Sequence, residues 1–348
     1  MSVPGCPERM IWRTHMRELN ITAMLEASLS VRVQSLAVLA IAALSAGCAS
    51  APVAAVAPPC SAALAPSRPI AALPSNPAPP PPALQEALDA AGKAAAAGDT
   101  ATADKHIAAA AAAAGDEAHF VYLVARLRAL RFVYAGDFER AAAAFLTVIP
   151  TLSRHPELSD EFWSHNAMMM IREAQGDPAA ALAENDQATL CAARGTWDPQ
   201  GRGRLAFQKD RWHRAYLTRM LAESRTGSVK QALVQYAQAA LEEYGTCGLP
   251  DSVAVLEAYF AALDGQRDAA LIAAKRVDPA KDDDIEDLYL VVVGLEVGGD
   301  PTAAEAVRRV MRRQGGVHIA RAIMLRWLDL DADELPTSAF TPWHAGPR

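Results

Sequence analysis

A short polar break returns six times along the chain, and apolar residues keep fixed distances from it. The breaks are Gly98-Asp99, Gly136-Asp137, Gly176-Asp177, Gly227-Ser228, Gly265-Gln266 and Gly299-Asp300, at intervals of 38, 40, 51, 38 and 34 residues. Five residues after each glycine stands an alanine: Ala103, Ala141, Ala181, Ala232, Ala270 and Ala304. Twelve after it stands Ala110, Val148, Ala188, Ala239, Val277 or Met311. Seven residues make two helical turns, so each such pair shares one face of the helix that follows its glycine. Glycine takes the left-handed backbone that ends one helix, and an adjoining Asp or Ser side chain accepts from the N–H groups that open the next. Proline after Asp177 and Asp300 suits the first helical position, where its missing donor costs nothing. The pattern predicts helices near 85–97, 100–113, 117–135, 138–149, 158–175, 178–193, 203–225, 228–244, 251–264, 267–277, 283–298, 301–314 and 317–329. Six helix pairs and a closing helix make an all-α, right-handed α-solenoid, whose curvature leaves a concave groove as the expected binding surface. The segment 194–202, Arg-Gly-Thr-Trp-Asp-Pro-Gln-Gly-Arg, falls in the longest interval and marks an insertion or a boundary between two halves.

Two of these stretches resemble a known family. Gly136-Asp137-Phe138-Glu139-Arg140-Ala141 with Phe145 and Val148, and Gly227-Ser228 with Ala232, Tyr236 and Ala239, are similar to the turn, small-residue and aromatic positions of the tetratricopeptide repeat (TPR). That family's unit is two antiparallel helices in 34 residues. Here Asn185 and Arg308 replace the aromatic, and only the last interval is 34. The resemblance spans roughly residues 85–314 and implies a TPR-like array.

The N-terminal part follows another pattern. From Leu36 to Ala46 nearly every residue is apolar, too few for the roughly 20 that cross a bilayer. Arg32 precedes the run and small residues close it, which is the order of a secretory signal. Leu44-Ser45-Ala46-Gly47-Cys48 resembles the lipobox of bacterial lipoproteins, with Ser45 where that family usually has Leu. The resemblance implies cleavage before Cys48 and lipidation of that cysteine. Ala49 after it, rather than Asp, implies sorting to the outer membrane, here on its periplasmic face. Residues 1–47 are therefore a signal region, whose acidic residues and internal methionines suggest a start as late as Met24 or Val31. Residues 48–83 hold the lipidated cysteine and an Ala/Pro-rich tether, since proline withholds a backbone donor and disfavours helix before it. In polyproline geometry that tether reaches up to roughly 100 Å from the bilayer. The helical domain takes 84–330, and 331–348 form a C-terminal tail.

Composition agrees with helices. Hydrophobic residues make up 51% of the chain, aromatics only 6%, and alanine faces let helices approach closely where a sandwich or barrel would want β-branched and aromatic residues. The net charge of −7 provides no footprint for nucleic acid.

Chemistry-bearing motifs are few. The chain has no HExxH, GxSxG, Walker glycine loop or paired CxxC, and no two of its eight histidines stand three or four apart. No catalytic residue, cofactor or metal is assigned. Lys209, Arg211, Arg214 and Arg219 interleave with Trp212, His213 and Tyr216 on one predicted helix. Such a face can bind an acidic or C-terminal peptide, or lie on the surface packed by Trp212. Arg308, Arg309, Arg312 and Arg313 close the helix over 301–314, where cations suit the dipole, and the acids of 282–287 suit the start of the helix over 283–298. Met168-Met169-Met170 reads as core. Cys191 and Cys247 end the second helices of neighbouring pairs, at the same end of the stack, which makes them a candidate disulfide. The expectation is a lipid-anchored envelope protein whose groove holds an envelope protein or peptide. The alternatives are a helical hydrolase of envelope glycans, with carboxylates such as Glu242 and Glu257, and a structural lipoprotein with no dedicated ligand.

Overall fold

The computed structural model describes residues 77–194, 202–246, 248–282, 284–313 and 319–327. The signal region, Cys48, the tether to residue 76, residues 195–201, Cys247 and the tail from 331 lie outside them. The described residues form fourteen helices and no strand: α1 (Pro82–Ala96), α2 (Thr100–Ala114), α3 (Ala118–Tyr134), α4 (Phe138–Leu146), the single turn α5 (Ile149–Leu152), α6 (Asp160–Ala174), α7 (Pro178–Arg194), α8 (Arg202–Glu223), α9 (Gly227–Gly245), α10 (Pro250–Leu263), α11 (Arg267–Ala274), α12 (Ile285–Gly298), α13 (Pro301–Arg313) and α14 (Ile319–Trp327). None of them is long and apolar enough to cross a membrane.

The glycine breaks are corners. All six of those glycines have positive φ, from 61° at Gly227 to 88° at Gly299. At four of them the neighbouring aspartate caps the next helix. Asp99 accepts from Thr102 N at 3.0 Å, Asp137 from Arg140 N at 3.1 Å, Asp177 from Ala180 N at 2.9 Å and Asp300 from Ala303 N at 3.0 Å. Five of the six alanines that follow are buried, as are five of the six residues seven further on.

The exception is α9. Ala232, Tyr236 and Ala239 are exposed, and Ala237, Ala240, Leu241 and Tyr244 are buried in their place. In the other five cases the helix begins two residues after the glycine, whereas α9 begins at Gly227 itself. Two residues are about 200° of helical rotation, so the face that meets the core turns accordingly.

Proline sets two further boundaries. The helix expected over 138–149 stops at Leu146, because the ring of Pro150 clashes with the carbonyl four residues before it. At the other end of the domain, Pro81 holds extended geometry (φ −54°, ψ 149°) and Pro82 takes the first helical position of α1.

Helices joined by a corner pack on each other: α1 on α2, α3 on α4, α6 on α7, α8 on α9, α10 on α11 and α12 on α13. Small residues let them come close. A Cβ placed on Gly294 of α12 would stand 3.0 Å from Ala258 Cβ and 3.3 Å from Ala274 Cβ, so α12 is seated on α10 and α11 through a missing side chain. Met168, Met169 and Met170 are in the core, as expected.

The last helix does more than close the row. α14 packs against α3, α6 and α12, the first helices of three different pairs. Ile319 to Met324 are buried without interruption, as a helix apolar on every face requires. Arg321 is the one charge among them, and its side chain hydrogen-bonds Tyr134 on α3. α14 thus lies across the first helices of three pairs, at α3, α6 and α12.

Candidate functional site

The basic stripe of α8 meets the acidic start of α12. Lys209 Nζ stands 3.4 Å from Asp284 Oδ2, and His213 Nε2 stands 3.2 Å from Glu286 Oε2. Asp284 also caps α12, accepting from Glu286 N at 3.1 Å. Burial works against the Lys209 ammonium, but Asp284, Glu286 and Asp287 outweigh it and hold its pKa above the ordinary lysine value. Burial likewise opposes the Asp284 carboxylate, yet Lys209, the cap hydrogen bond and His213 bring its pKa below the usual range. Asp287 moves the other way. Burial and the charges of Asp284 and Asp282 raise its pKa well above the ordinary value.

Three further cations of α8, Arg211, Arg214 and Arg219, are paired too. Arg211 lies 3.1 Å from Asp210 and 2.9 Å from Glu243, and Arg214 lies 2.9 Å from Asp186 and 3.0 Å from Asp210. Asn185 Nδ2 donates to Asp210 Oδ1 at 2.8 Å, so the residue standing at the family's aromatic position serves this network. Arg219, 1% exposed, donates to Glu223 and Asp264. Its guanidinium carbon lies 6.0 Å from the Phe260 ring centroid, at the edge of cation–π range.

Lys209, Arg211, Trp212, Arg214, Tyr216 and Arg219 therefore do not form the open face that a peptide would need. Trp212 and Tyr216 are core residues, with ring centroids 5.2 Å apart. The negative charge expected from a ligand comes from this chain, at Asp186, Asp210, Glu243 and Asp284.

Below this network sits a buried carboxyl. Tyr216 donates its hydroxyl to Glu173 of α6, and Tyr216 also lies against Tyr259, with centroids 5.4 Å apart. Burial pushes the Glu173 pKa up to about 8, against the Tyr216 hydrogen bond and with some help from the charge of Glu286. Tyr216 of α8, Tyr259 of α10 and Tyr289 of α12 all lie close enough to feel the charge of Glu173. Of the carboxylates weighed for hydrolysis, Glu257 is paired with Arg276 at 2.5 Å and Glu242 is exposed on α9.

A shallow groove of about 480 Å³ opens elsewhere, where α9, α10 and α11 meet. Gln238, Glu257, Phe260, Asp264, Ile272 and Arg276 line it. Ile272 is 66% exposed there, and Phe260 is buried at its base. Its one mark in the sequence is that Ile272 stands off the spacing of Ala270, Ala273 and Ala274, the buried face of α11, and a single apolar residue on a polar face is common on protein surfaces.

A second grouping also escaped the sequence reading. Glu161 and His165, one turn apart on α6, meet Cys191 of α7, and one donor atom from each lies within 4.8 Å of the other two. Cys191 is buried there. No pair of histidines marks this grouping in the sequence, because one member of the helical pair is a glutamate.

No family model, curated protein or solved structure matches this chain.

Proposed function

We propose that this chain is a lipid-anchored envelope protein, tethered at Cys48 to the periplasmic face of the outer membrane. Its paired helices form a TPR-like, right-handed solenoid and hold a segment of another envelope protein in the α9–α11 groove. The observation that carries the reading is Ile272, two-thirds exposed in a groove shared by three consecutive helices above a buried aromatic ring. The charges lining the groove are already paired, Glu257 with Arg276 and Asp264 with Arg219. Apart from these charges the lining is apolar, with Gln266 and with Gln238, whose amide donates to Glu242 at 3.4 Å, and it suits an uncharged, apolar segment better than an acidic peptide. The lipobox-like ending and the proline-rich tether support the location. The recurrence of capped glycine corners supports the array.

The test is recovery of partners from crosslinked envelopes with wild type, Ile272→Glu and Arg214→Gln. The reading expects a partner that Ile272→Glu loses and Arg214→Gln keeps. A partner kept by Ile272→Glu, or none at all, contradicts it.

A further inference from the structure

We propose that Glu161, His165 and Cys191 form a binding site for a divalent transition-metal ion, zinc being the ion their donors favour. The residues come from two helices whose packing aligns them. Glu161 and His165 are four apart on α6, so both point from one face. Glu184 and Cys191 are seven apart on α7 and also share a face. The α6–α7 contact brings the two faces together.

The donor set is specific in kind. An imidazole nitrogen, a thiolate sulfur and a carboxylate oxygen together suit zinc or its cobalt substitute, whereas calcium and magnesium take oxygen alone. Donors around tetrahedral zinc lie roughly 3.5 Å apart. Closing from within 4.8 Å needs about an ångström of movement, which the rotatable bonds of Glu161 supply. Three protein ligands leave the fourth position to water or a small ligand.

His165 is already oriented. Its Nδ1 lies 2.7 Å from Glu184 Oε2, which in the neutral ring places the proton on Nδ1 and the lone pair on Nε2. A carboxylate holding one ring nitrogen while the other binds metal is the usual outer arrangement of such sites. Burial fits as well. Glu161 and Cys191 are both in the interior, and a dication balances a carboxylate and a thiolate there. On binding, the Cys191 S–H bond breaks, sulfur keeps the electron pair and bonds the metal, and one proton leaves to solvent.

Cobalt(II) titration of the purified full chain tests this. The expected result is one equivalent bound, with a sulfur-to-cobalt charge-transfer band that Cys191→Ser abolishes and Cys247→Ser leaves unchanged. Glu184→Gln is expected to keep the stoichiometry and weaken affinity 10- to 100-fold. Where Cys191→Ser loses its helical circular dichroism, His165→Ala, changed at a partly exposed ring, reads the same band and is expected to lose it. A wild-type chain that gives no band, a band that survives Cys191→Ser, or one retained at full strength in His165→Ala overturns the assignment.

Discussion

Lys209 and Asp284 stand 75 residues apart in the sequence and 3.4 Å apart in the fold, ammonium against carboxylate. The pair joins the basic stripe of α8, which the sequence left as a binding face or a packed surface, to the acids that open α12. Together they form an internal seam.

Removing the cation leaves Asp284, Glu286 and Asp287 facing one another. Both partners are partly exposed, so solvent screening reduces the effect below that of a fully buried pair. Lys209→Met is expected to lower stability by about 1–3 kcal/mol near neutral pH. The sign with pH follows from Asp284, whose pKa is depressed in the folded chain: its contribution is present above the unfolded value of 3.8 and is lost as the pH falls through the folded one. The gap between Lys209→Met and wild type therefore narrows on acidification. Urea unfolding of both chains from pH 7 to pH 3 measures it.

Glu173 carries the opposite sign. Its folded pKa of about 8 exceeds the ordinary 4.5, so the folded chain holds a proton that the unfolded chain gives up between those values. The stability this group contributes is present below pH 4.5 and declines until about pH 8, at no more than about 1.4 kcal/mol per pH unit. Glu173→Gln keeps an acceptor for Tyr216 and removes the titration. Relative to wild type, the variant is expected to gain stability steadily from pH 5 to pH 8, read as urea midpoints at each pH.

The corners differ in a way that mutation can read. Gly136→Ala places a side chain at φ 75° and is expected to cost about 1–2 kcal/mol. Asp137→Ala, which removes the cap on α4, is expected to cost about 1 kcal/mol. Ser228→Ala is expected to fall within about 0.5 kcal/mol of wild type, because α9 has already begun at Gly227. Thermal or urea unfolding of the three variants measures the contrast.

These comparisons show why the helices were readable and the site was not. A glycine corner with its aspartate cap is local chemistry, complete within about five residues, so all six breaks and nearly every helix could be drawn from spacing alone. Pro150 and the early start of α9 were local too, but they needed a carbonyl clash and a 200° rotation to be followed through. The partners that Lys209, Arg214 and Arg219 find outside α8 are 75, 28 and 45 residues away. Which charges meet across helices depends on packing that no local pattern specifies. The same holds for α14. Its apolar residues mark it as a helix, but only the assembled domain shows α3, α6 and α12 covering it.

Burial on all sides makes α14 part of the core. Ile323→Ala, at a fully buried position, is expected to cost about 2–5 kcal/mol. Ile272→Ala, in the exposed groove, is expected to change stability by less than about 0.5 kcal/mol. Chemical denaturation of both variants separates a core helix from a surface docking position.

The account predicts acylation at Cys48. Cells fed labelled palmitate are expected to label the wild type and leave Cys48→Ser unlabelled and released from the membrane fraction, as fractionation and autoradiography would show.

The central claim is that an anchored chain holds its partner at the α9–α11 groove rather than on the α8 stripe. Site-specific photo-crosslinking in intact cells tests it most directly, with the photoreactive residue placed at Ile272, at Gln238 and, for comparison, at the exposed Lys105 of α2. The account predicts one protein adduct of the same mass from Ile272 and Gln238, in the membrane fraction, and none from Lys105. A membrane-bound chain that yields no adduct at the two groove positions, or the same adduct from Lys105, would contradict it.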